Sequence, residues 1–250
     1  MRNIKLIIEY DGTKFNGWQI QSTERTVQNE ITRALKKICS EPIKLIGSGR
    51  TDTGVHAAGQ VANFKTTTKK PTEELLCALN ANLPEDIAII GIKEVADDFH
   101  AQYHVKSKIY RYTILNRQER CALSRKSCLH YPYTIDIDLL KKEARSIIGR
   151  HDFKSFTSTN RAEAEKEKST VRTIKDIKIR KSKDIITIDI EADGFLYKMV
   201  RNIVGTLLEI SSKNKPKGTM LKILNARSRA IAAGTAKPHG LTLLHVLYEA

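Results

Sequence analysis

The residues best suited to chemistry stand in a glycine-rich stretch, GSGRTDTGVHA, at positions 47–57. Asp52 lies there between two threonines, two residues after Arg50. A nearby guanidinium lowers the pKa of a carboxyl group, whereas desolvation raises it, so an arginine can keep Asp52 ionised. An ionised Asp in a cleft can act as a nucleophile or as a general base. Alternatively, it braces the loop as the side chain of an Asx-turn.

The glycines of this stretch, Gly47, Gly49 and Gly54, permit tight backbone geometry and the close approach of a ligand. A phosphate-binding loop would need a Gly-Lys-Ser/Thr sequence, which is absent here. The carboxylate of Asp52 would also repel a phosphate. The stretch is therefore interpreted as a possible carboxylate site and not as an anion-binding loop.

The overall charge indicates a polyanionic partner. The chain has 250 residues, with 43 Lys and Arg against 28 Asp and Glu, which gives a formal net charge of +15. Such an excess is typical of proteins that bind nucleic acid, although it can serve solubility alone. Because the basic residues are spread along the chain and form no tail, we expect them to cover a folded surface.

We expect a cytoplasmic protein that neither enters nor binds a membrane. No apolar run approaches the ~20 residues of a membrane span, and MRNIKLIIEYDG is too polar for the core of a signal peptide. The four cysteines, at positions 39, 77, 121 and 128, form no CxxC pair, which fits a reducing compartment. His100 and His104 have a spacing suited to a metal, but no Glu follows His100 as in zinc proteases, so no metal is predicted.

Elements that could position Asp52 are predicted from periodicity and turn signals. In the first part of the chain, strands are expected over 4–10, 43–46, 60–64 and 87–95. A helix with Thr26 as its N-cap covers 26–38, and a second runs from Pro71 to about residue 81. In the second part, strands are expected over 107–115, 171–179, 184–191 and 241–248, and helices over 137–148, 195–210, 219–225 and 228–233.

The order of strand, helix, strands, helix, strand occurs twice, with a join near residues 105–107. This order predicts an α+β fold of two similar halves, 1–105 and 106–250, whose antiparallel sheets abut into one extended sheet with helices on one side. A cleft between the halves would be the natural site. Residues 158–170, STNRAEAEKEKST, are predicted to be a mobile surface loop, or a short solvated helix.

The stretch GSGRTDTGVHAAGQ closely resembles GxGRTDxGVHAxGQ, the signature of the TruA family of tRNA pseudouridine synthases. Further pieces match in the family's order: FNGWQIQ at 15–21, TVQ at 26–28, LNANLP at 79–84, FHAQ at 99–102, SKIYRY at 107–112, HDFKSF at 151–156, FLYKMVRNIVG at 195–205 and HGLTLLHVLYE at 239–249. The resemblance spans nearly the whole chain. Gln102 stands where the family usually has Arg, and Ser211 or Ser212 where a Gly often follows the long helix.

The resemblance implies an enzyme that isomerises uridine to pseudouridine in tRNA, with Asp52 of the first half as the catalytic carboxylate. Asp52 would attack the sugar or the base, or stabilise and deprotonate a glycal-like intermediate. In the second half, Tyr110 would stack on the flipped uracil and Arg201 would pair with Asp52. Arg50 would fill the gap left by the flipped base or hold its phosphate. His56 would brace the loop or contact a phosphate.

The family needs no cofactor and no metal, acts as a homodimer, and modifies the 3′ side of the anticodon stem-loop of tRNA, at nucleotide positions 38, 39 and 40. These properties are expectations for this chain. Two rival interpretations are an RNA-binding protein that kept the fold but lost catalysis, and a metal-dependent nuclease. The joint presence of Asp52, Tyr110 and Arg201 speaks against the first, and the lack of clustered carboxylates near Asp52 speaks against the second.

Overall fold

The computed structural model describes residues 1–158 and 169–249. The chain folds as two compact units. The first contains Met1–Lys106 and the C-terminal residues from Thr242 onward, and the second contains Ser107–Leu241. The last strand thus lies in the first unit, whereas the order of elements in the sequence groups it with the C-terminal half.

The sheet of the first unit has the strand order β4-β1-β3-β10. Strand β1 (Arg2–Tyr10) pairs antiparallel with β3 (His56–Thr66) and with β4 (Ile87–Val95). The short β2 (Ile46–Gly47) also pairs antiparallel with β3, while β10 (Leu241–Tyr248) runs parallel to it.

Alternation along β1 fixes which face of this sheet is buried. Ile4, Leu6 and Ile8 are fully buried, whereas the residues between them are partly or fully exposed. Helices α1 (Val27–Cys39) and α2 (Thr72–Asn82) contribute further fully buried side chains to this unit. These are Val27, Ile31 and Leu35 from α1, and Leu75 and Leu79 from α2. Their four-residue spacing is that of one helix face.

The sheet of the second unit has the strand order β5-β9-β8-β7, and all these pairs are antiparallel. It comprises β5 (Val105–Leu115), which starts two residues before the unit does, β7 (Gly149–Asp152), β8 (Val171–Ser182) and β9 (Ile185–Ala192). The short β6 (Leu129–His130) pairs parallel with β5. Every second residue of β9 from Ile186 to Ala192 is fully buried.

Three helices of the second unit pack against one another: α3 (Ile137–Arg145), α4 (Met199–Ser212) and α5 (Thr219–Asn225). Gly218, at the N-cap of α5, has no side chain that could cap the helix. The buried carboxylate of Glu143 on α3 does so instead, because it accepts hydrogen bonds from the amides of Gly218 (2.6 Å) and Met220 (2.8 Å). A negative charge at a helix N-terminus is favourable.

The prediction of an α+β fold with antiparallel sheets is confirmed within each unit, and most predicted elements exist. Several strands are longer than predicted, such as that predicted over 60–64, which spans His56–Thr66, and four predicted elements need a larger correction. The strand predicted over 43–46 is only Ile46–Gly47, and the helix predicted over 137–148 ends at Arg145. The segment 228–233 contains only a 3₁₀ turn at Arg229–Ile231.

The fourth correction concerns the long helix predicted over 195–210, which begins at Met199. Lys198 has a left-handed backbone, with φ 58°, which a helix interior does not tolerate. Phe195 packs edge-on against Tyr110 instead of continuing a helix. Tertiary contact thus overrides the helical periodicity of this segment.

Among the described residues, no helix is long and apolar enough to span a bilayer. Within those same residues, no group of three or more His, Cys, Asp or Glu side chains could hold a metal ion. Most of the loop predicted over 158–170 lies outside the described residues.

Thr26 occupies the predicted N-cap position of α1, but its side chain makes no capping hydrogen bond. The side chain is fully buried, and its hydroxyl oxygen has no hydrogen-bond partner in the part of the chain that the structure describes. A buried hydroxyl without a partner costs free energy, since it gives up its bonds to water. The prediction of Thr26 as the N-cap residue is thus confirmed, but its side chain does not cap the helix.

Replacing this hydroxyl by a methyl group in Thr26→Val should raise the free energy of unfolding by about 1 kcal/mol, because the isosteric side chain removes an unsatisfied polar atom. Urea denaturation followed by circular dichroism measures the change. A functioning N-cap would give the opposite sign, a loss of about 1 kcal/mol.

Candidate active site

The loop that carries Asp52 is fastened by side chains of β3. The buried Ser48 hydroxyl donates to Gln60 Oε1 at 2.6 Å, and Gln60 Nε2 donates to the carbonyl oxygen of Gly49 at 3.1 Å. The Ser48 amide also donates to the Val61 carbonyl oxygen at 2.7 Å. These bonds take the place of a regular strand ladder, so the irregular backbone keeps one conformation.

The segment Phe15–Trp18 supports the other side of the same loop. The Trp18 amide donates to the Thr51 carbonyl oxygen at 3.1 Å, and the Gly54 amide donates to the Phe15 carbonyl oxygen at 3.3 Å. Gly17 has φ +82°, and a Cβ atom there would stand 2.5 Å from the Thr51 oxygen. Only glycine permits this close approach, which explains why FNGW accompanies GRTD in the sequence.

Asp52 lies in a tight turn of this loop. The Val55 amide donates to the Asp52 carbonyl oxygen at 3.1 Å, which closes the turn. Thr51 is buried, and its hydroxyl shares a hydrogen bond of 2.7 Å with Tyr10. Burial raises the pKa of Tyr10, and its bond to Thr51 offsets part of this rise, so the phenol stays neutral at pH 7. Asp52 is partly accessible, between buried Thr51 and exposed Thr53.

Arg50 is exposed, and a chain of side-chain amides holds its guanidinium. Its Nε donates to Gln19 Oε1 at 3.2 Å, and Gln19 Nε2 donates to Gln28 Oε1 at 2.8 Å. Gln28, on α1, in turn donates to the Leu45 carbonyl oxygen at 2.9 Å. The guanidinium thus stays accessible but keeps a preferred orientation.

His56 stands where β3 begins and is buried. Its Nδ1 accepts a hydrogen bond from the Gly12 amide at 3.1 Å and lies 3.1 Å from a carboxylate oxygen of Asp11. The imidazole thereby ties the 3₁₀ turn Gly12–Lys14 to the end of the glycine-rich loop. The hydrogen bond from Gly12 to His56 is the kind of contact expected if His56 braces the glycine-rich loop.

In the second unit, the parity of β5 places Lys108, Tyr110 and Tyr112 on one face of the strand. Their register partners on β9 are Ala192, Ile190 and Ile188, which are all fully buried. The opposite face carries Ser107 and Arg111, which bond to Glu191 and Asp189. Tyr110 therefore lies in an apolar environment, with its ring edge-on to Phe195 at 5.1 Å and 87°.

The two tyrosines on this face differ in burial. Tyr112 is fully buried, and its hydroxyl donates to the Lys237 carbonyl oxygen at 2.7 Å. Burial raises the pKa of Tyr112, and the positive charge of Arg201 partly offsets this rise. Tyr110 keeps 8% of its surface exposed. Tyr112 is thus a core residue, whereas Tyr110 keeps a small accessible surface.

Arg201 lies in the first turn of α4, where a cation is unfavourable for the helix dipole. Its Nε donates to the Ala236 carbonyl oxygen at 2.8 Å, and the Ala236 amide donates back to the Arg201 carbonyl oxygen at 3.1 Å. The neighbouring Asn202 is fully buried and bonds to the Phe156 carbonyl oxygen and to the Thr235 hydroxyl. A guanidinium at a helix N-terminus creates a strongly positive region suited to an anion.

Lys108 is a further candidate site residue, which the sequence patterns did not single out. It lies two residues from Tyr110 on the same face, where burial lowers its pKa to about 8. The period-two pattern SKIYRY contains the signal, because it places a lysine where a strand of this kind normally has an apolar residue. A lysine kept in such surroundings is a candidate for a functional role.

The predicted site residues are thus divided between the units: Asp52 and Arg50 lie in the first, and Tyr110 and Arg201 lie in the second. The tRNA pseudouridine synthase family model matches residues 6–104 and 144–249 and so includes three of the four.

The chain belongs to the tRNA pseudouridine synthase family.

Full-length relatives agree with this assignment. The chain is 46% identical over 248 residues to tRNA pseudouridine synthase A of Thermoanaerobacter pseudethanolicus. This alignment covers 99% of the present chain and 100% of that protein. It is 45% identical over 249 residues to tRNA pseudouridine synthase A 2 of Clostridium perfringens, with the same coverage. The family predicted from the glycine-rich signature is confirmed, and with it the enzyme class, an isomerase that forms pseudouridine in tRNA.

The close approach of Gly17 to the loop that carries Asp52 can be tested with a matched pair of variants. Gly17→Ala should displace this loop and lower kcat for pseudouridine formation at least ~100-fold, the effect expected of a displacement of about 1 Å at a catalytic group. Gly218 has nearly the same φ, +83°, but a Cβ there meets nothing within 4 Å. Gly218→Ala should therefore cost about 1 kcal/mol of stability and leave kcat unchanged. Equal kcat losses would contradict the role of the contact.

The burial of Lys108 predicts a variant that gains stability and loses activity. The pKa of Lys108 is about 8 in the folded protein and 10.5 in the unfolded chain. At pH 7 the buried charge therefore lowers the free energy of unfolding. This cost disappears as the pH rises from about 8 to 10.5. Lys108→Met should raise the free energy of unfolding by roughly 1–2 kcal/mol, discounted for partial exposure. We expect activity to fall at least about fivefold, since loss of a cation weakens the binding of a polyanionic substrate.

The control for this pair of measurements is Lys178→Met, which removes an exposed lysine paired with Asp176 at 3.0 Å. It should change neither stability nor activity appreciably. A Lys108→Met enzyme that is less stable at pH 7 would show that the side chain is held for structural reasons.

Proposed function

We propose that this synthase isomerises uridine in the anticodon stem-loop of tRNA, with Asp52 as the catalytic carboxylate. The observation that carries the proposal is the anchoring of the peptide on both sides of Asp52. Trp18, Tyr10 and Gln60 hold the loop, while the Asp52 side chain stays partly accessible. A catalytic group needs such fixed placement, because positioning contributes several kcal/mol to a rate.

The reaction conserves all atoms of the nucleotide. The N1–C1′ bond breaks, the base turns, and C5 bonds to C1′. The proton on C5 then leaves and N1 gains one, so neither an oxidant nor a group donor is required. A carboxylate beside C1′ can stabilise the positive charge that develops as N1–C1′ breaks, and it can accept a proton. No cofactor is therefore assigned.

The other three site residues act on the same nucleotide. The flipped uracil stacks on Tyr110, an interaction worth ~1–3 kcal/mol per base. The family resemblance implies that Arg201 pairs with the Asp52 carboxylate, since a planar guanidinium can bind a carboxylate through two hydrogen bonds. Arg50, exposed and oriented by Gln19, holds the phosphate of the flipped nucleotide or fills its place in the stem.

The net charge of +15 supports binding along the RNA backbone, since each neutralised phosphate releases counterions. The family resemblance supports a homodimer, the anticodon stem-loop as the target, and the cytoplasm as the location. Recognition of the stem by shape, not by base edges, follows from the deep and narrow major groove of A-form RNA.

The decisive experiment measures tritium release from tRNA labelled at uridine C5, without added metal. The wild type should release label, and Asp52→Asn should bind tRNA as well as the wild type but lower release at least ~1,000-fold, because the amide can neither carry the charge nor accept the proton. Asp138→Asn, an exposed carboxylate in the first turn of α3, is the matched control and should be as active as the wild type.

Turnover by Asp52→Asn would remove the assigned role. Strand scission in place of label release would show a nuclease, and binding without release by the wild type would show a non-catalytic RNA-binding protein. Sequencing for pseudouridine after the reaction identifies which loop of the tRNA is modified.

A further inference from the structure

Two stacked rings in the first unit form an exposed flat surface that the proposed chemistry does not use. The imidazole of His100 and the phenol ring of Tyr103 are 4.1 Å apart between centroids, with an interplanar angle of 18°. Tyr103 is 77% exposed although it is a large aromatic residue. We call these two rings the aromatic platform. One face of the Tyr103 ring is covered by His100, and most of the remaining surface is accessible.

The backbone fixes the orientation of the platform. His100 Nδ1 accepts hydrogen bonds from the amides of Gln102 at 3.2 Å and Tyr103 at 3.3 Å. The His104 amide donates to the His100 carbonyl oxygen at 3.2 Å. The imidazole therefore keeps its plane, and Tyr103 stacks on a fixed ring. Little conformational entropy remains to be lost when a further ring stacks on Tyr103.

Buried amides attach this segment to the sheet. Asn3 Nδ2 donates to the carbonyl oxygens of Ala96 and Phe99, both at 2.9 Å, and Asn63 Oδ1 accepts from the Ala101 amide at 2.9 Å. The Tyr248 hydroxyl donates to the Ala101 carbonyl oxygen at 2.7 Å. Such buried polar networks are costly unless complete, so this one indicates that the position of the segment matters.

Lysines adjoin the attachment of the platform. Lys5 Nζ lies 4.9 Å from the Tyr248 ring centroid and 5.6 Å from that of Phe99. Lys93 is the register partner of Lys5 on the neighbouring strand. Burial, followed by the charge of Lys93, lowers the pKa of Lys5. Like charges directly opposite each other are destabilising in a sheet, and an anionic ligand would relieve this repulsion.

From this geometry we infer that Tyr103, held by His100, stacks on an unpaired nucleobase of the tRNA other than the target uridine, while Lys5 and Lys93 attract the adjoining phosphates. The inference rests on the proposed function in that the ligand is tRNA. Single-stranded bases are bound by an open aromatic face together with basic residues, and here Lys5 contacts Phe99, which belongs to the same segment as Tyr103. Since every base has a flat face, the contact sets register without reading sequence.

The test measures tRNA affinity in the Asp52→Asn background, where turnover does not interfere, and steady-state kinetics in the otherwise wild-type enzyme. Tyr103→Ala should raise the Kd for unmodified tRNA about 5- to 100-fold, the range known for removal of a base–aromatic stack. It should raise KM similarly and leave kcat within about twofold, because the platform holds RNA and does not touch the reacting atoms. Tyr103→Phe keeps the ring and should behave as the wild type.

Tyr133→Ala is the matched control. Tyr133 is also exposed, at 64%, but it contacts its aromatic neighbour Tyr131 edge-on, at 5.2 Å and 71°, and so offers no stacked pair. Its replacement should leave Kd unchanged. Equal losses of affinity in Tyr133→Ala and Tyr103→Ala would overturn the inference, since they would reflect general surface effects.

Two further results would overturn the inference. One is an unchanged tRNA affinity in Tyr103→Ala. The other is a changed molecular mass of Tyr103→Ala in solution with unchanged tRNA affinity, which would make the platform a contact between protein chains. The proposed function fails separately. If the wild type releases no label but Tyr103→Ala still weakens tRNA binding, the proposed isomerisation is wrong and the platform inference stands.

Discussion

The peptide before Asp52 accepts a hydrogen bond from Trp18 while the backbone of Gly17 lies against it, and the arrangement of the first unit depends on this contact. It requires a glycine with positive φ at position 17, and it brings the segment before α1 onto the glycine-rich loop. Gln60 and Ser48 then hold the loop from the side of β3. An otherwise flexible stretch acquires one conformation because its backbone groups are bonded on both sides.

Hydrogen bonds to irregular backbone also support the other candidate functional residues. Side-chain amides reach across and satisfy main-chain groups: Asn3 and Asn63 do so behind the aromatic platform, and Asn202 does so next to Arg201. These amides are buried. A buried amide without its partners would be costly, so each of them specifies a single position for the loop it holds.

Several charges stand where they cost stability. Lys108 lies on an apolar strand face, Arg201 at a helix N-terminus, and Lys5 opposite Lys93. An anionic ligand would reduce the repulsion between Lys5 and Lys93 and would be attracted to the positive N-terminus of α4. By contrast, Asp189 is held between two arginines: burial would raise its pKa, but hydrogen bonds from Arg111 and Arg180 lower it below the usual value. That cluster is satisfied within the fold and needs no ligand.

The sequence by itself determined the secondary-structure order, the α+β class and the family, because these depend on local periodicity and on a glycine signature whose backbone demands are local. Only the tertiary structure decided which residues support the site. The start of the long helix at Met199, the hydroxyl of Thr26 without a partner in the described chain, and the burial of Lys108 all depend on neighbours distant in sequence. Period and propensity carry no information about which distant backbone group a Gln60 or an Asn63 will meet, and those contacts are what give Asp52 and Tyr103 fixed positions.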